Sequence, residues 1–499
     1  MTSLGSFPGG LVLDGQKQRS TNTAIRPTPL SKTLVLPLQQ HIGEASHPVV
    51  EVGQHVLKGQ KIAQANGHVS VCLHAPSSGT VSAIDHQPIP HPSGLSALCI
   101  TIETDGDERW VERDIIENYR DLSGHELRQR IRDAGIVGLG GAGFPSFIKL
   151  NPGVHHAVDT LIINGAECEP YISCDDMLMQ ERAEAILDGV AIMQYALHAK
   201  NCVIAIEDNK PKAIAAMQSA LKQHRDSADT QFVVIPTRYP TGSEKQLIQI
   251  ISKQQVPQNG LPIDIGIVMH NIGTAYAVGR AINHGEPLIS RIVTVTGSDV
   301  RHAGNFETLL GTPIHELLAF CQTERQPSEP FIMGGPMMGY QLSGDHLPIT
   351  KTANCILVGV DQAADKEPAL PCIRCGDCAT VCPVSLLPQQ LYWYTKAKDL
   401  QKTSDYNLFD CIECGCCDYV CPSKIPLVSY FRFAKTETMN QEQEKQKADL
   451  ARERYENRLA RLENEKREKE RRHQQRKAAL AASKAANNQS NNTATKQES

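Results

Sequence analysis

Cys372-Ile373-Arg374-Cys375-Gly376-Asp377-Cys378-Ala379-Thr380-Val381-Cys382-Pro383 reads C-x2-C-x2-C-x3-C-P, and Cys411-Ile412-Glu413-Cys414-Gly415-Cys416-Cys417-Asp418-Tyr419-Val420-Cys421-Pro422 repeats it. One such run is the signature of a bacterial-type iron–sulfur site, and two in tandem predict a ferredoxin-like module holding two [4Fe–4S] clusters. Three thiolates on one tight loop take three corners of a cubane, and the fourth has to arrive from elsewhere. In the two-cluster arrangement the last cysteine of each run crosses to the other cluster. The expected ligand sets are therefore Cys372, Cys375, Cys378 with Cys421, and Cys411, Cys414, Cys417 with Cys382. Zinc is the competing reading, since C-x2-C is shared with zinc ribbons, but zinc needs neither the third close cysteine nor the C-P ending, twice over. Cys416 falls outside the pattern and reads as a packed or free thiol. A disulfide framework is disfavoured, because the cysteines are bunched at ligand spacing in a long chain that starts without a secretory signal.

Outward from this module, 499 residues allow roughly three or four domains. The net charge of −5 implies no general affinity for nucleic acid. The start, MTSLGSFPGG, lacks a basic and an apolar region, and no stretch approaches the ~18 apolar residues of a membrane span. The expectation is a cytoplasmic protein, or one peripheral to a membrane.

The chain is expected to be multidomain, α/β and α+β. Residues 1–115 are rich in Val, Gly, Pro and turn signals and read as a small β domain. Within it, the stretches Val52–Gln60 and Ala75–Val81 resemble the halves of a lipoyl-like barrel-sandwich, although the segment between them, Ala65–His74, has no lysine to modify. Over 116–288, short β-branched runs (Thr160–Asn164, Cys202–Ile206, Phe232–Pro236) alternate with helical stretches (Glu181–His198, Pro211–His224). That pattern predicts a mainly parallel sheet. Residues 289–345, from Arg291-Ile292-Val293-Thr294-Val295 to Gly334-Gly335-Pro336-Met337-Met338-Gly339, look like a β-grasp module. The ferredoxin module is placed at 365–433. Residues 436–499 turn to Glu, Lys, Arg, Gln and Ala, predicting a solvated helix that fades into a disordered tail. Leu450, Leu459 and Leu462 are too sparse for a sustained coiled coil.

A second candidate site lies in the α/β domain. Gly138-Leu139-Gly140-Gly141-Ala142-Gly143-Phe144-Pro145 is a run whose backbone N–H groups can approach a phosphate closely. Alone it is equally a tight loop. Asn164-Gly165-Ala166-Glu167-Cys168-Glu169-Pro170 follows a strand, and ligands of open α/β sheets sit outside the carboxyl ends of strands. His155, His156 and the histidines from His86 to His91 read as loop residues rather than ligands.

These two segments, with Tyr239-Pro240-Thr241-Gly242-Ser243-Glu244-Lys245, resemble the RnfC family, a component of the Rnf-type, ion-translocating electron transport complex. More distantly they look like the flavoprotein subunit of respiratory complex I. The resemblance covers about residues 1 to 435 in domain order. Complex I subunits carry an arginine where this chain has Leu139, and an aspartate where it has Ala166. By the resemblance, Gly140, Gly141, Ala142, Lys149, Asn164 and Glu244 would line FMN, and Phe144, Glu167 and Glu169 would help hold the nicotinamide nucleotide against it.

The resemblance implies an enzyme subunit without a catalytic acid, base or nucleophile, the NADH-facing part of an NAD:ferredoxin oxidoreductase that couples electron transfer to ion transport. It would lie peripherally on the cytoplasmic side of the inner membrane, with integral membrane subunits and ferredoxin or another electron carrier as partners. A flavin accepts a hydride pair and releases single electrons, which makes sense of joining such a domain to two clusters. The competing readings are a non-catalytic iron–sulfur relay or scaffold, and the diaphorase subunit of a soluble hydrogenase or dehydrogenase.

Overall fold

The computed structural model describes residues 4–153, 156–226, 229–258, 260–324, 331–360 and 368–494, with side chains to 486. The chain divides into two units, Met1–Phe431 and Arg432–Ser499.

In the first unit, the N-terminal β domain folds as two small antiparallel sheets. One orders Thr33–Pro37, Ser96–Thr104, Gly79–Pro88 and His55–Val56, and the other His47–Pro48, Lys61–Gln64 and Leu73–His74. Alternation along the strands turns Leu34, Leu36, Val81, Ile100 and Ile102 inward to full burial, as period-2 patterning requires.

The α/β domain is a four-stranded, all-parallel sheet in the order Thr230–Ile235, Asn201–Glu207, Thr160–Gly165, Ile267–Asn271. Its first three strands are those expected from the apolar runs. The fourth carries no such signal, because Met269, His270 and Asn271 break the β-branched pattern. Helices Ala183–Leu197 and Pro211–Gln223 coincide with the predicted stretches. Ala183–Leu197 packs on the helix Ile272–His284, burying Val190, Met193, Ala275 and Val278 in the largest core.

Among the described residues, the fourth sheet has six strands, ordered Arg26–Pro27, Gly304–Leu309, Ser290–Gly297, Cys355–Val358, Phe331–Met333, Tyr340–Gln341. It reaches beyond the expected span of 289–345, since Cys355–Val358 sits between Ser290–Gly297 and Phe331–Met333. Arg26–Pro27 joins its edge, so the N-terminal residues before 28 do not belong to the barrel sheets.

The cysteine module is built twice from one backbone pattern. Helices Asp377–Thr380 and Cys416–Tyr419 each start after a left-handed glycine, Gly376 and Gly415. The positive-φ residues Arg374 and Ser385 recur as Glu413 and Lys424, at the offset that separates Cys372 from Cys411. Residues 361–367, where the module was expected to begin, are outside the described residues.

In the second unit the chain is helical to Ala494. The helix runs through 487–494, where the Asn/Ser composition predicted disorder. The alanines between 478 and 486 have the highest helix propensity, and the Asn, Ser and Thr residues of 487–494, which lack it, continue the helix built before them. Pairs such as Arg461–Glu465 and Arg467–Glu463 lie at i,i+4, the spacing that supports a solvated helix. Leu450, Leu459 and Leu462 stay exposed. Among the described residues, no helix is long and apolar enough to cross a membrane.

Candidate functional site

The cysteines converge on two separate cavities. Cys372, Cys375, Cys378 and Cys421 line one, beside Gln389 and Tyr392. Cys382, Cys411, Cys414 and Cys417 line the other, together with Cys416. Each cavity thus draws three cysteines from one run and one from the other, a four-thiol donor set that fits a [4Fe–4S] cubane. The two differ in depth: Cys375 is exposed, whereas Cys382, Cys414 and Cys417 are buried. Burial and neighbouring sulfurs hold the Cys378 and Cys382 thiols above their ordinary range, so loading iron would release protons. The Leu386 N–H donates to Cys382 Sγ at 3.2 Å, the type of N–H···S contact that tunes a cluster.

A larger cavity of about 290 Å³ opens at the carboxyl end of the parallel sheet, the place where such folds bind ligands. Gly140, Ala142, Phe144, Lys149, Asn164, Glu167, Glu169 and Glu244 all line it. Gly141 belongs to the same exposed loop without lining the cavity. Its φ of +114° with nothing within 4 Å of a Cβ position leaves the backbone of this loop open to an approaching ligand.

Each wall is fixed by identifiable contacts. Asn164 bridges two loops, its side-chain amide donating to Gly242 O (2.8 Å) while its Oδ1 accepts from Ala166 N (2.9 Å). The Lys149 ammonium donates to Glu244 Oε1 (2.5 Å) and Met269 O (3.2 Å). The Glu167 carboxylate accepts from Asp175 N (2.9 Å) and Asp176 N (3.4 Å), which places its charge at the N-terminus of the helix Cys174–Glu181. Glu169 accepts from Met337 N (3.2 Å) and Met338 N (2.7 Å) of the Gly334–Gly339 turn. Burial pushes its carboxyl up to about 7 against those donors, and burial with the Glu167 charge likewise raises Asp175.

The residues present fit FMN. The exposed Gly140–Ala142 backbone and the Lys149 ammonium are donors suited to a phosphate, and Asn164 with the loop carbonyls suits the hydroxylated chain. His270, unnoticed in the sequence, lines the cavity with a buried Nε2 that has no hydrogen-bond partner. Burial, then the Lys149 charge, lowers it to about 3, so it faces the cavity as a neutral imidazole.

Ile412 and Cys414 form part of the same cavity wall. The Tyr239 hydroxyl donates to Cys414 O at 2.5 Å, and Met337, Cys168 and Ile412 pack around Tyr239, Cys414 and Cys416. The buried cysteine cavity is therefore adjacent to the larger one. Cys416 is a packed thiol at this junction. Of the histidines set aside, His156 is an exposed residue 3.8 Å from Asp264, and His155 lies outside the described residues.

A barrel domain, a parallel α/β domain with a cofactor cavity and a doubled cysteine module define the class of modular iron–sulfur flavoproteins. Family models agree domain by domain: an RnfC barrel sandwich hybrid domain over 5–107, a Nuo51 FMN-binding domain over 131–280 and a 4Fe-4S dicluster domain over 371–425. RnfC-type proteins named as part of the "Ion-translocating oxidoreductase complex" are similar along nearly the whole chain. That of Pseudomonas aeruginosa is 51% identical over 474 residues, covering 94% of this chain and 61% of that protein. That of Serratia proteamaculans is 48% identical, covering 92% and 65%. That of Haemophilus influenzae is 44% identical, covering 93% and 69%. The chain belongs to this RnfC family of oxidoreductase complex subunits, and it spans about 60–65% of the length of the first two relatives. An NAD+-reducing [NiFe]-hydrogenase structure is similar at 18% identity and a TM-score of 0.46, over 64% of this chain and 63% of that one.

Proposed function

We propose that this protein is the NADH-facing peripheral subunit of a membrane-bound, ion-translocating NAD:ferredoxin oxidoreductase. The observation that carries the reading is the shared wall: Cys414 and Ile412 line the cofactor cavity, and Cys414 also lines the buried cysteine cavity. FMN, when bound, supplies the exchange between a hydride pair and single electrons.

The chain's own residues do the rest. Gly140, Gly141, Ala142, Lys149, Asn164 and Glu244 hold the flavin, and Phe144 closes one side of the nucleotide's place. Glu167 and Glu169 act mainly through backbone, each carboxylate stiffening a wall against which the nicotinamide lies. Tyr239, donating to Cys414 O, fixes the distance between the flavin cavity and the cluster held by Cys382, Cys411, Cys414 and Cys417. The cluster held by Cys372, Cys375, Cys378 and Cys421, with Cys375 at the surface, passes electrons to ferredoxin or another protein of the complex. Integral membrane subunits move the ion, and this chain sits peripherally on the cytoplasmic side of the inner membrane.

Anaerobic purification with iron, sulfide and flavin analysis on one sample, followed by NADH titration of the visible spectrum, tests this. About eight irons, stoichiometric FMN and bleaching by NADH are expected. The same iron without flavin or bleaching would leave an electron relay and contradict the proposal.

A further inference from the structure

The residues before Arg26 run as an arm against the α/β domain and the cysteine module. Gly5 N donates to Ile250 O, Gly10 N to Val381 O, and Leu11 exchanges backbone bonds with Tyr239. Phe7 is buried among Ile162, Ala166 and Leu247. Farther along, Tyr171 N donates to Gly15 O, Ser20 Oγ meets Ser173 Oγ at 2.7 Å, and Arg19 donates to Gly297 O at 2.6 Å.

At the centre of this arm Lys17 reaches inward. Its ammonium donates to Glu167 O (2.7 Å), Glu169 O (3.0 Å) and Ile172 O, and lies 3.8 Å from Glu167 Oε2. All three donor positions of a protonated amine are thus spent on one loop, the loop that carries Glu167 and Glu169 into the cavity wall. An ammonium side chain that is 11% exposed and bound chiefly by carbonyls is costly to bury. The only other side-chain cation on these carbonyls among the described residues is Lys210, at 3.5 Å from Glu167 O, and it is committed to Glu207 at 2.6 Å.

We propose that Lys17 is a positioning residue for the cofactor cavity: the N-terminal arm delivers its ammonium to the carbonyls of the Glu167–Ile172 loop and holds that loop in its flavin-binding shape. Without the ammonium, Glu169 O and Ile172 O lose this donor, Glu167 O is left with Lys210 at 3.5 Å, and the loop relaxes away from the cavity. The cysteine cavities, lined by other segments, stay as they are. The inference rests on the flavin reading above.

The test uses full-length protein with its clusters loaded and its flavin removed, titrated with FMN by quenching of flavin fluorescence. Lys17→Met keeps the length and apolar stem but has no donor. An FMN dissociation constant raised about tenfold, with iron and sulfide unchanged, is expected. Arg19→Met, which removes a neighbouring anchor of the same arm, is expected to leave the affinity as in the parent. Unchanged affinity in Lys17→Met, or equal weakening in both variants, would overturn the assignment, because attachment of the arm would then account for everything. If Lys17→Met does not accumulate folded, Lys17→Gln decides: a neutral amide with two N–H donors cannot serve three carbonyls and is expected to bind FMN about fivefold more weakly, while parental affinity would overturn the proposal. Parent protein that takes up no FMN would remove the flavin reading itself, and the Lys17 assignment with it.

Discussion

Glu169 stands where the α/β domain, the Gly334–Gly339 turn and the cofactor cavity meet, and its carboxyl is raised from 4.5 to about 7. Between those values the folded protein keeps a proton that the unfolded chain has released. Its stabilising contribution is therefore complete below about 4.5 and disappears as pH rises through 7. Glu169→Gln keeps an acceptor for Met338 N and cannot ionise. It should reduce the loss of unfolding free energy between pH 5 and pH 8 by about 1–3 kcal/mol, read from urea midpoints at the two pH values, and an unaltered pH dependence would contradict the assignment. Lys149 is a different case. Its pair with Glu244 is one-third exposed on both sides, so Lys149→Met should cost under ~1 kcal/mol of stability. Yet flavin affinity should fall about tenfold, ~1.4 kcal/mol, as measured by FMN retained on gel filtration.

At the scale of elements, the pairing of Ala183–Leu197 with Ile272–His284 depends on one missing side chain. A Cβ at Gly189 would lie 1.7 Å from Ala275 O, so Gly189→Ala forces the helices apart and should cost about 2–3 kcal/mol, measured by chemical denaturation. Helix Ile272–His284 follows strand Ile267–Asn271, which carries His270, so the same variant should also weaken flavin binding. The elements that sequence made legible are those whose signal is local. Doubled cysteine spacing and the β-branched runs Thr160–Asn164 and Cys202–Ile206 each carry their meaning within a dozen residues, whereas the glycine run takes its meaning only beside Asn164–Pro170. What stayed hidden depends on distant partners. His270 looks polar until the sheet buries it, Cys355–Val358 lies beyond the span read as the β-grasp module until two strands flank it, and Lys17 has no motif at all because its three acceptors are backbone carbonyls some 150 positions away. Glu167 and Glu169 were legible as candidates that turn out to line the cavity, but the engagement of their carboxylates with backbone N–H groups was not.

For the whole molecule, the compact unit Met1–Phe431 contains every cysteine and every cavity residue named above. A chain ended at Met439 should therefore keep its iron, its flavin and the NADH reaction proposed for it. Iron and FMN analysis of that variant checks it, and loss of either would assign the charged helix a part in building the sites. The central claim is an order of transfer: from the cofactor cavity to the buried cluster, then to the surface cluster. Cys378→Ser should damage only the surface cluster and Cys417→Ser only the buried one. The decisive measurement is electron paramagnetic resonance of each variant after anaerobic mixing with NADH. With Cys378→Ser the remaining, buried cluster should still be reduced. With Cys417→Ser the remaining, surface cluster should stay oxidised with NADH while accepting electrons from dithionite. Rapid NADH reduction of the surface cluster in Cys417→Ser, or damage to both clusters in either variant, would contradict the account.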